Sequence, residues 1–102
     1  MASATTRPWD PADHLATPGD ARAYLNAALE TGETRLIAAA LGDIARSEGM
    51  SKIAAASGLG RESLYKSLST EGNPAFSTVL KVLNAFDLKL HAIPAGAATA
   101  QP

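Results

Sequence analysis

Between residues 50 and 68 the chain reads MSKIAAASGLGRESLYKSL, and two short apolar-patterned segments meet at Gly58. Neither segment can hold a helix by itself, because isolated helices shorter than about 12 residues are marginal in water. The pair therefore requires longer neighbours that clamp it. The spacing predicts helices over 51–57 and 61–68 with a tight turn between them, a helix-turn-helix unit at 51–68. Ala54 sits where the two helices cross closely, and a larger side chain there would push them apart. Gly58, four residues on, takes the turn, where positive φ is needed. Ile53, Leu59, Leu64 and Leu68 supply the buried side.

The clamping helices are legible on both sides. From about Glu33 to Ser47, Leu36, Ile37, Ala40, Leu41 and Ile44 share one face, and Gly49 is a stop signal. Downstream, Asn73-Pro74 reads as cap then proline, and Phe76, Val79, Leu80, Leu83 and Phe86 follow on one side. Upstream, Thr17-Pro18-Gly19-Asp20 is a helix start in which Thr17 caps and Asp20 returns the contact. Ala21, Tyr24, Leu25, Ala28 and Leu29 form the stripe, and Gly32 ends it. Residues 17–87 thus form one helical domain of about five helices. Residues 1–16 read as irregular, with Trp9 and Leu15 as anchors; Trp9 is read as a packing plug rather than a ligand-binding ring.

After residue 87 the period changes. LKLHAI, residues 88–93, alternates as a strand would, and the small, Pro-bounded tail 94–102 is expected to be disordered. A lone strand leaves half its backbone groups unpaired, and nothing else in the chain reads as a clear strand. It requires an outside partner. Antiparallel pairing with a second copy about a two-fold axis makes a homodimer; addition to a partner protein's sheet edge is the competing possibility.

Composition narrows the chemistry. Hydrophobic residues make up 46%, much of that alanine, and only five residues are aromatic, so a thin core of closely packed helices is expected. There is no cysteine, which excludes disulfides and thiolate metal sites. His14 and His91 lie far apart with no third ligand suggested, and His91 reads as a solvated or cross-strand residue. No metal and no cofactor are assigned. No paired acids, Ser/His/Asp spacing or phosphate loop supports an enzyme. No apolar run approaches the ~20 residues of a membrane span, and the N-terminus lacks a secretory apolar block. A cytoplasmic location without membrane contact is expected.

Net charge is −1, but it is unevenly spread. Residues 1–49 hold four Lys/Arg against seven Asp/Glu, and residues 50–102 hold five against three. The positive field falls on the half with the two short helices. At 100° per residue along the second of them, Leu64 and Leu68 point inward together. Glu62 and Lys66 point away, with Ser63 and Tyr65 on their flanks, and Arg61 in the first turn can reach past the helix end. Such a helix enters the major groove by its N-terminal end. There Arg reads guanine through two parallel hydrogen bonds, and Glu accepts from cytosine. The bland alternative is a surface ion pair between Glu62 and Lys66, worth ~0.3–0.5 kcal/mol. Ser77, Thr78 and Lys81 on the next helix can donate to phosphate, or simply be solvated.

Residues 36–92, and above all GRESLY…LS…GNPAFSTVLKVL, resemble the addiction-module antidote proteins. These are HigA-like antitoxins of the lambda-repressor-like (XRE) helix-turn-helix group, encoded beside RelE/HigB-type toxins. WDPADHLATPGDARAYLNAALETGE resembles the N-terminal part of that family, so the likeness spans about residues 8–94. The resemblance implies a lambda-repressor-like bundle. It also implies an antitoxin that binds a small basic RelE/HigB-like toxin and represses its own operon at a palindromic operator. Carried over by position, it implies DNA contacts from Arg61, Glu62, Tyr65 and Lys66 in the groove, where the helical period adds Ser63, from Ser51 and Lys52 at the first short helix, and from Asn73 and Thr78 beyond it. Gly60 departs from the Ser or Thr often found before the reading helix, which removes a side-chain cap. Two alternatives stay open: a stand-alone phage-type repressor, and a protein-binding antitoxin without useful DNA affinity.

Overall fold

A computed structural model describes residues 10–96. Five α-helices follow a short 3-10 turn, Pro11–His14: α1 Pro18–Thr31, α2 Thr34–Glu48, α3 Met50–Ser57, α4 Arg61–Ser67 and α5 Phe76–Ala85. No strand occurs among the described residues. Trp9 and the tail from residue 97 lie outside them.

Helix α2 is the centre. The 3-10 turn and α1 pack on it from one side, while α3 and α4 pack on it from the other and α5 closes against α3. Leu41, Ile44, Ile53, Leu64 and Val82 are the fully buried large side chains, one or two from each of α2 to α5. Ala38, Ala40, Ala45 and Ala54 fill the contacts between them, which is how an alanine-rich, aromatic-poor chain makes a dry core. No polar side chain is buried among the described residues.

The helix ends follow local chemistry where that chemistry is complete. Thr17 Oγ1 accepts from the Asp20 amide at 3.1 Å and Asp20 Oδ2 accepts from the Thr17 amide at 3.2 Å, a closed capping box. The stretch before α1, expected to be irregular, carries the 3-10 turn because Asp10 caps it, its Oδ1 accepting from the Ala12 amide at 3.1 Å.

One expectation fails and one is not shown. Helix α5 does not begin at Asn73-Pro74: Ala75 is its N-cap residue, with no side-chain cap bond. The preceding loop is held to the end of α4, the Ser69 hydroxyl donating to the Lys66 carbonyl and the Gly72 amide to the Ser69 carbonyl. Pro74 follows that loop, and Ala75 continues in extended backbone (φ −62°, ψ 152°) before the helix starts. No strand is present at 88–93 in the single chain; the expected pairing is with an outside partner. The Leu88 amide donates to the Leu83 carbonyl, closing α5 through Asp87 at φ 66°. Beyond that point no backbone partner is found among the described residues, so the run forms no ladder with them. Leu88 is half-buried against the core, but Leu90 and Ile93 are exposed.

Candidate nucleic-acid interface

The unit from α3 to α4 rests on two glycines. Gly58 sits at φ 73° and its amide donates to the Ala54 carbonyl, so the chain reverses there without a Cβ penalty. Gly42, in the middle of α2, lets the backbone at the end of α4 come close: a Cβ there would lie 2.0 Å from the Leu68 carbonyl oxygen. Leu64 and Leu68 then insert into the core at 1% and 4% exposure. Gly60 brings no side-chain cap to α4, as its lack of a hydroxyl requires.

With that seat fixed, the remaining side chains of α4 turn outward. Arg61, Glu62, Ser63, Tyr65 and Lys66 are all exposed. Glu62, Ser63, Tyr65 and Lys66 border one open surface depression. The Arg61 guanidinium lies 5.6 Å from the centroid of the Tyr65 ring, which steers a long side chain along the helix face. No ion pair joins Glu62 to Lys66, so the bland reading of that spacing is not what the side chains do here. Neither Lys66 nor Arg61 makes an ion pair among the described residues.

The more distant candidates are less uniform. Ser51 and Lys52 are exposed at the start of α3, but Lys52 Nζ pairs with Glu48 at 3.5 Å. An exposed pair of this kind is worth under about 1 kcal/mol and exchanges readily for phosphate. Asn73 lies exposed in the loop rather than at a helix cap, and Thr78 is half-buried in the first turn of α5. The uncapped amides of that turn leave donors for water or an anion.

A second cluster, on another face of α2, was not foreseen. Arg46 donates from Nη1 to Asp10 Oδ2 at 3.0 Å, from Nη2 to Asp10 Oδ1 at 3.3 Å, and from Nη2 to Asp43. The Tyr24 hydroxyl donates to the other oxygen of Asp43, and Ser47 Oγ donates to the Leu15 carbonyl at 2.9 Å. The Asp10 bond comes first in holding the Arg46 guanidinium above its ordinary pKa; partial burial opposes this and Asp43 adds to it. The cluster pins the 3-10 turn and α1 to α2. Among the described residues no group of carboxylates and histidines is placed to hold a metal ion. No helix among the described residues is long and apolar enough to cross a membrane.

Comparison with known proteins adds a family. The family model described as "probable addiction module antidote protein" matches residues 5–94. An uncharacterized protein of Haemophilus influenzae (strain KW20 / Rd) is 48% identical over 81 residues, which is 79% of this chain and 84% of that protein. No solved structure matches the chain.

Proposed function

Because the chain belongs to the family of probable addiction module antidote proteins, we propose that it is the antitoxin of a toxin–antitoxin pair which both binds a RelE/HigB-like toxin and represses its own operon through α4. Both activities are binding activities, exerted in the cytoplasm. The observation that carries the DNA-binding half is the split character of α4. Leu64 and the following Leu68 anchor it while Arg61, Glu62, Ser63, Tyr65 and Lys66 stand exposed. A lambda-repressor-like docking would put the first turn of α4 in the major groove. Arg61 then reads a guanine and Glu62 a cytosine amine. Ser63, Tyr65 and Lys66 meet bases or phosphates at the groove edge, and Ser51, Lys52, Asn73 and Thr78 touch the backbone.

A palindromic operator requires two copies. Phe76 and Leu80 on α5, and Leu90 and Ile93 beyond it, are four of the seven exposed large hydrophobic side chains among the described residues. Leu90 and Ile93 lie within the 88–93 run, whose backbone has no ladder partner among the described residues. Pairing of that run with its copy about a two-fold axis would cover both features. It would also set two α4 helices about one helical turn, ~34 Å, apart.

Gel shifts with the DNA upstream of the gene test the reading. Specific retardation that weakens steeply with salt is expected, with a log–log slope of ~0.9 per phosphate contact. No shift at low salt would leave a protein-binding antitoxin, which the overall charge of −1 suits. Light scattering on the isolated chain should give a dimer; a monomer that changes only on adding toxin would move 88–93 to the toxin's sheet edge.

A further inference from the structure

We infer that Tyr65 is a positioning residue for sequence reading: its ring holds the Arg61 guanidinium in the pose from which it meets a guanine. Preference for that base then depends on a side chain that need not touch it. This deepens the DNA-binding reading and rests on it. Arg61 opens α4, and Tyr65 stands four residues on, one turn away on the same face. The guanidinium lies over the ring, 5.6 Å from its centroid, within the range where a cation is drawn to a ring face. Among the described residues neither side chain makes a hydrogen bond or an ion pair, so the ring contact is what orders the guanidinium.

The kind of contact matters. An ion pair with the adjacent Glu62 would occupy the guanidinium N–H groups. Attraction to a ring face consumes none of them, and they stay available to guanine O6 and N7. An exposed arginine gives up much rotamer freedom when it docks, and ordering it beforehand lowers that loss. The ring can do this because it is itself well held. Its neighbour Leu64 is 1% exposed and fixes the backbone from which the ring projects, and Tyr65, at 45%, is already more than half covered. An aromatic side chain has only two rotatable bonds to fix. The Tyr65 hydroxyl remains open to phosphate, a separate role that the ring does not need.

The test uses the full chain and duplexes of the DNA upstream of the gene, each guanine replaced in turn by 7-deazaguanine, which lacks N7. The guanine whose replacement weakens the parent but not Arg61→Ala is the one Arg61 reads. Tyr65→Leu, a good helix former at an exposed position, should keep the parent's melting temperature. It should lower discrimination at that guanine two- to fivefold, with discrimination at the other guanines unchanged. Tyr65→Phe keeps the ring and should retain the parent's discrimination there, even where lost phosphate contact weakens all duplexes alike. In the Arg61→Ala chain, Tyr65→Leu should no longer alter it. Parent-like discrimination by Tyr65→Leu, or equal loss at every guanine, overturns the proposal. So does loss by Tyr65→Phe, which would make the hydroxyl responsible. If the parent binds none of the duplexes, or no guanine depends on Arg61, the DNA-binding reading of Arg61 falls first and this one with it.

Discussion

Two faces of α2 treat charged side chains in opposite ways. On the α1 side, Arg46, Asp10, Asp43 and Tyr24 are bonded to one another and fix the turn and α1 in place. On α4, Arg61, Glu62 and Lys66 make no ion pair and are held only through the leucines on the far side of their own helix. Polar groups that satisfy each other add rigidity, and polar groups left to solvent are available to a partner. The contrast separates framework from interface in a chain whose net charge alone distinguishes neither.

Substitutions can break this contrast, beginning where the effect is greatest. Gly42→Ala drives a methyl into the Leu68 carbonyl. It should cost about 3 kcal/mol or more, since backbone cannot yield as a side-chain tip can; thermal melts check this, and operator binding should vanish with the seat of α4. Leu64→Ala removes a side chain that is 1% exposed and should cost about 2–4 kcal/mol in urea unfolding. Arg61→Ala should leave the melt within about 0.5 kcal/mol of the parent but weaken operator binding by ~1–3 kcal/mol and blur sequence preference. If it binds operator and random DNA as the parent does, α4 is not the reading element. Arg46→Met should do the reverse, lowering stability by about 1–2 kcal/mol with operator affinity unchanged. Asp87→Gly relieves the one non-glycine residue at positive φ among the described residues and should raise stability by about 0.5 kcal/mol.

What could be read from the sequence was what neighbouring residues decide. The Thr17–Asp20 capping box, the stop at Gly32 and the turn at Gly58 each depend on residues within four positions, and each is where the pattern put it. The outward set on α4 followed from the 100° period once Leu64 and Leu68 were assigned inward. The hidden features join distant residues. Gly42 meets Leu68, and Arg46 meets Asp10, across spans in which no periodicity links the partners. Asn73-Pro74 misled because a cap-plus-proline signal says nothing about the loop before it, and the bonds from Ser69 and Gly72 hold that loop to the end of α4. The alternation in 88–93 is real, but a period of two describes a face and cannot by itself provide a neighbour.

One peptide unit of α2 separates Gly42 from Asp43. The first lies against the α4 carbonyl and the second holds Tyr24 and Arg46. There is no slack at that point, for a carbonyl sits where a methyl would go. Axial slippage or rotation of α2 by a fraction of an ångström would be transmitted in both directions at once. The two faces of this small protein therefore share a single fulcrum, and a change tolerated by one must also be tolerated by the other.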